Sequence, residues 1–138
     1  MQADELQARF ACESAFRAFH RFIDEGVATR AIDLVADDGL FEVRGKAFRG
    51  RDEILGFLQR REAASDRHTR HLDSNFCFAM TSASTAEASA QLLIAQRTAD
   101  GQLEIEAVTD CQVEFALADG GAWLITSRIH RRFAPAVT

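Results

Sequence analysis

The apolar residues of this chain change period about halfway along it. Over residues 4–24, Cys12, Phe16, Phe19 and Ile23 recur at helical spacing, and Ala8 extends the stripe backwards. One face of a long helix ends at Gly26. A second, short helix is predicted over residues 28–36, burying Ile32 and Val35 and stopping at Asp37-Asp38-Gly39. Residues 40–44 and 47–49 read as a small hairpin around Gly45-Lys46. Residues 51–64 form a third helix with an apolar face of Ile54, Leu55, Phe57 and Leu58. Asp52 and Glu53 in its first turn and Arg60 and Arg61 in its last suit the helix dipole.

From there the period is two. Residues 68–80, 86–97, 103–117 and 122–133 read as four long strands, separated by Ser82–Ser84, Asp100-Gly101 and Asp119-Gly120-Gly121. In the third of these, Leu103, Ile105, Ala107, Thr109, Cys111, Val113, Phe115 and Leu117 share one face, while Glu104, Glu106, Asp110, Gln112 and Glu114 share the other. Such alternation predicts one buried and one wet or partner-covered sheet face. Helices followed by an antiparallel meander make this an α+β fold, with the helices on one side of the sheet.

A chain of 138 residues, with no internal repeat or linker, fits one domain over residues 1–138. A net charge of −5 argues against a nucleic-acid partner. No apolar run reaches the roughly 20 residues that cross a bilayer, and the charged amino-terminal stretch has no signal-peptide core. Three widely spaced cysteines do not make a disulfide framework, so a cytoplasmic setting is expected. Eleven Phe and one Trp but no Tyr leave any pocket walled by rings without a phenol.

Candidate chemistry concentrates in two islands. Asp24 directly follows the apolar stripe of the first helix, and His71 sits in Thr69-Arg70-His71-Leu72-Asp73-Ser74-Asn75. A carboxylate beside an imidazole fixes its tautomer and raises its basicity, which suits a general base. By simple alternation His71 shares a face with Asp73, Asn75 and Cys77, opposite Leu72, Phe76, Phe78 and Met80, and so lies outside the core. Only a β-bulge near the start of the strand would invert that phase, and the sequence does not specify one. Phe16, Phe19, Phe41 and Trp123 are candidate pocket walls. Arg131, in phase with Trp123, is a candidate contact for an anionic substrate or an ion-pair partner at the mouth. His68 and His71 are an odd number of residues apart on a strand and face opposite ways, and no metal-binding or nucleophile motif is present, so no metal site is predicted.

The segments FIDEG, LVADDGLFEV, FRGRDEILGFL, RHLDSN and DGGAWLITSR, in this order, resemble the SnoaL-like domain of the nuclear transport factor 2-like superfamily. The resemblance runs from about Phe10 to Phe133. It implies a cone: a strongly curved sheet wrapped around a long helix, with a pocket at one end, and a homodimer formed through the outer sheet face. Relatives with this fold include scytalone dehydratase, bile acid dehydratase, polyketide cyclases, ketosteroid isomerase, limonene epoxide hydrolase and non-catalytic subunits of ring-hydroxylating dioxygenases. By motif the dehydratase branch is nearest, and its Asp and His fall on Asp24 and His71. Where that branch commonly carries a Tyr on the first helix, this chain has Phe19.

Two functions are therefore expected. One is a cofactor-independent acid–base enzyme of the dehydratase, isomerase or cyclase type, acting on a small hydrophobic, cyclic, oxygenated substrate. The alternative is a non-catalytic ligand-binding or assembly module of the same fold.

Overall fold

The apolar stripe predicted for the first helix is its buried face. In the computed structural model, which describes residues 3–135, α1 spans Ala3–Asp24 and keeps Ala8, Cys12, Phe16, Phe19 and Ile23 at 7% exposure or less. A six-stranded sheet curves around it in the order β2-β1-β6-β5-β4-β3. Its strands are β1 (Val35–Val43), β2 (Lys46–Arg49), β3 (His68–Met80), β4 (Thr85–Arg97), β5 (Leu103–Leu117) and β6 (Trp123–Arg132). All neighbours are antiparallel except β1 and β6. The second α-helix, α2 (Gly50–Ala63), covers the remaining edge with Ile54 and Leu58 fully buried. The α+β architecture expected from the switch of period is the one observed.

The predicted second helix is a 3-10 segment, Ala28–Leu34, and it ends two residues early because Val35 already pairs with Ile125 of β6. Asp37-Asp38-Gly39, read as a helix stop, lies within β1, where pairing with β6 lapses between Val35 and Leu40. Gly39 has a packing reason: a Cβ there would lie 2.8 Å from Cγ1 of Val35. The β1–β2 hairpin turns on Arg44-Gly45 rather than Gly45-Lys46, with φ of 55° and 77°. Two successive positive φ values are what a two-residue hairpin with the right twist demands.

Three β-bulges give the sheet its working geometry. In β3, Ser74 pairs with Gln91 and Cys77 with Ser89, so Asn75 and Phe76 oppose Ala90 alone. In β5, Ala107 pairs with Ile94 and Ile105 with Ala95, leaving Glu106 as the extra residue. In β6, Ile125 pairs with Phe115 and Ser127 with Glu114, leaving Thr126. Each extra residue exchanges the two faces of its strand on one side of the bulge.

The consequence in β3 is visible in burial. Phe76, Phe78 and Met80 pack on the core, while before the bulge Thr69, His71 and Asp73 turn inward and Leu72 turns out. Asn75 carries the bend with φ +54° and donates from its amide to Oε1 of Gln91 at 2.7 Å. A left-handed backbone suits Asn better than most side chains. Asn75→Ala should therefore cost about 1–2 kcal/mol of stability. Asn75→Gly should cost less, as measured by urea unfolding; the reverse order would mean that the bend does not set the requirement.

Candidate active site

Asp24 closes the last turn of α1, where the helix dipole disfavours a negative charge. Three hydrogen bonds offset that cost. The backbone N–H of His71 donates to Oδ2 at 2.8 Å, the Thr69 hydroxyl donates to Oδ1 at 2.8 Å, and His71 Nδ1 lies 2.7 Å from the same Oδ1. Burial pushes the Asp24 pKa up, but the hydrogen bonds and charge of His71 and the hydroxyl of Thr69 pull harder, and the pKa ends below the ordinary 3.8. The carboxylate is thus ionised at neutral pH and can only accept. His71 Nδ1 must then carry a proton, so in the neutral imidazole the free lone pair is on Nε2. Asp24 and His71, 47 positions apart, lie together, as the family resemblance implies and strand phase alone does not.

His71 lines a cavity of about 380 Å³, a size that suits a small organic ligand. Asp24 sits behind the ring, outside the lining. On the other flank of His71, the ring of His20 stacks at 4.9 Å with an interplanar angle of 20°. His20 is buried, and burial together with the nearby Arg128 charge lowers its pKa well below 6.5. Arg128 can only donate, so the neutral His20 Nε2 accepts from its Nη2 at 2.9 Å.

Arg128 is itself only 4% exposed, and its guanidinium lies over the Phe19 ring, 4.9 Å from the centroid. Among the described residues the Arg128 Nε finds no partner. Beyond it, His130 Nε2 meets the Thr109 hydroxyl at 2.7 Å. Burial, then the charge of Arg128, depresses the His130 pKa to about 3.

The acidic side of the cavity is Glu106, whose Oε1 is shared by Arg44 (2.8 Å) and Arg67. Sequence alternation puts Glu106 on the wet face with Glu104; the β5 bulge corrects this and exposes Leu103 and Ile105 in its place. The same mechanism explains why Arg128 and His130 are absent from the sequence candidates. Counted from Trp123 they fall on the outward phase, and the extra Thr126 brings them inside.

The predicted walls divide. Phe19 lines the cavity. Phe16 and Phe41 do not, because they lie behind it: Phe16 packs edge-on against His20 and Phe41 against Phe19. Trp123 sits at the far end of β6 beside Leu117 and plugs the core there. Arg131 is turned outward by the β6 bulge, two-thirds exposed, and is paired with Glu42 at 2.8 Å. It is not a pocket residue. The rings that do complete the wall are Phe48 and Phe57, from β2 and α2. Among the described residues no three His, Cys, Asp or Glu side chains group as a metal site would need. No helix among them is long and apolar enough to cross a membrane.

No curated protein matches the sequence. Solved structures share the fold at low identity. A Novosphingobium aromaticivorans protein provisionally named a scytalone dehydratase is 20% identical, with a TM-score of 0.85 over 100% of this chain and 94% of its own. A nuclear transport factor 2-like protein with a cystatin-like fold, also from Novosphingobium aromaticivorans, is 18% identical, with a TM-score of 0.82 over 96% of this chain and 86% of its own. A Catenulispora acidiphila protein, solved in complex with S-DNPA, is 19% identical, with a TM-score of 0.77 over 91% of this chain and 94% of its own. The SnoaL-like domain model matches residues 4–129, and the chain belongs to the SnoaL-like domain family.

Proposed function

We propose that the protein is a small-molecule acid–base enzyme that removes a proton α to a carbonyl in a cyclic, hydrophobic substrate. One observation carries this reading: His71 turns into the cavity with its Nδ1 held by the ionised Asp24 at 2.7 Å. That leaves Nε2 as a base whose conjugate acid gains a counter-ion as it forms. The buried, half-satisfied Arg128 guanidinium supplies the complement, a donor for the oxygen on which enolate charge develops. Neutral His20 and His130 add no competing charge next to it. Dehydration, isomerisation and cyclisation all follow from such an enolate, and none needs a cofactor. The test is α-proton exchange in D₂O, followed by NMR with a panel of cyclic ketones such as 2-tetralone. Catalysed exchange above the buffer rate is expected; a panel that exchanges no faster than in buffer would defeat the proposal.

A second reading, a non-catalytic ligand-binding or assembly module, is favoured by Phe19. It occupies the wall where the dehydratase branch has a Tyr, in a chain without any Tyr. Saturable binding of cyclic ligands without any exchange would favour this module over the enzyme.

In either case the outer sheet face suits a homodimer. Leu72, Leu93 and Val108 are consecutive cross-strand partners, and the Phe133 backbone bonds to Val108 next to them. This row is exposed at Leu72, Val108 and Phe133, and apolar rows of this kind mark interaction surfaces. Sedimentation at micromolar concentration should give twice the 15.3 kDa chain mass, and Leu72→Glu should return it to single chains.

A further inference from the structure

The cavity facing His71 carries the opposite charge to the chain that builds it. The chain has a net charge of −5, yet Arg44, Lys46, Arg61, Arg67, Arg128 and Arg132 line the hollow, with Glu106 as the one acid among the described residues that line it. A concave, low-dielectric surface of one sign focuses its field and concentrates ligands of the other.

The cations are also short of partners. Oε1 of Glu106 serves both Arg44 and Arg67, so one carboxylate answers two guanidiniums. Among the described residues the buried Nε of Arg67 and of Arg128 have no acceptor, while the buried Oε2 of Glu106 has no donor and bonds to neither. The hydrogen-bond partner of Arg128 is a neutral imidazole. Holding a guanidinium out of water without a counter-ion is costly, and a ligand that brings the missing charge recovers that cost on binding.

The cations lie at two depths. Arg128 is at the floor beside the His20–His71 stack, only 4% exposed. Arg44, with a side chain 56% exposed, and Arg67, at 33%, stand toward solvent together with the exposed Arg132. Between floor and rim the wall is apolar, formed by Phe19, Phe48, Phe57 and Ile94.

We infer that the ligand is an amphipathic acid: a cyclic body carrying a carboxylate that docks at the rim between Arg44, Arg67 and Arg132. Glu106 then acts as a positioning residue that aims Arg44 and Arg67, and the planar guanidinium forks suit a carboxylate. The ring system lies against Phe48 and Phe57, which leaves its carbonyl for Arg128 and His71. This deepens the proton-transfer reading by naming the charge of the substrate, and it rests on that reading's choice of cavity.

The test compares 2-naphthoate with its neutral isostere 2-naphthamide by calorimetry at low and moderate salt, in the native protein and in the Arg44→Gln/Arg132→Gln double variant. Both substituted positions are exposed, so folding is not at risk. The acid should bind about tenfold or more tightly than the amide. That preference should shrink as salt rises and fall to about threefold or less in the double variant, with the amide's affinity unchanged. Equal affinities in the native protein, no binding of either compound, or a preference that survives the double substitution would each overturn the inference. Exchange of neutral cyclic ketones is the separate readout. Acid preference without exchange keeps the rim site and removes the proton transfer, and exchange without acid preference does the reverse.

Discussion

His71→Ala should lower catalysed α-proton exchange by about 10²–10⁴-fold, the usual contribution of a positioned general base. The fold should survive, because the ring is held by side-chain contacts while the backbone N–H of residue 71 still donates to Asp24. Asp24→Asn is the sharper experiment. An amide oxygen cannot replace the carboxylate that accepts from both the ring and the backbone of His71, and an amide nitrogen facing Nδ1 would move the imidazole proton to Nε2. The base would then point its lone pair away from the cavity, and exchange should fall about 10²-fold or more with little change in substrate affinity. A merely structural role for Asp24 predicts something different: lost stability with an unchanged tautomer. Nitrogen NMR of the His71 ring separates the two, and Nε2 staying unprotonated in Asp24→Asn would remove the orienting role.

The fold was legible because its signals were local. The stripe from Ala8 to Ile23 and the clean alternation from Thr109 to Phe115 each decide a buried face without reference to anything distant. The pairing of Asp24 with His71 came through resemblance to a family rather than through strand phase, which placed the imidazole outside. Three single-residue insertions account for what was missed. Asn75-Phe76, Glu106 and Thr126 each shift a strand by one, and between them they carry His71, Glu106, Arg128 and His130 to the concave side. A bulge is specified by the pairing strand as much as by its own, so a single strand read alone gives only traces. Val108, apolar on the supposedly polar phase of β5, is one such trace, and Asn75, at home in a left-handed bend, is another. The same shift turns Arg131 outward into an ion pair with Glu42, the second of its two expected roles, and leaves Arg132 among the cavity residues.

The bulges also bring buried imidazoles against a buried guanidinium, and this arrangement should make the protein unusually acid-labile. His130 has a pKa near 3 in the folded chain, against roughly 6.5 when unfolded. A depressed histidine contributes its full stability above the unfolded value and loses it as pH falls toward the folded one. His20, lowered in the same direction by burial and by Arg128, behaves alike: a proton on it would place two cations 2.9 Å apart. The depressed Asp24 matters only lower down, since its contribution is lost below about pH 4, as the pH falls toward its folded value. Between about pH 6 and 4 unfolding should therefore take up about one proton at His130 and up to a second at His20, a loss of roughly 1–3 kcal/mol per pH unit. Against a typical domain stability of about 5–15 kcal/mol, that is a large fraction of the total by pH 4. Urea titrations at pH 7.5, 6.0 and 5.0 measure it directly, and His130→Met should remove about one proton from the slope while His20 retains the other. Identical unfolding midpoints at pH 7.5 and 5.0 would mean that both rings hold their protons in the folded chain, and neutral neighbours could then no longer be invoked for Arg128.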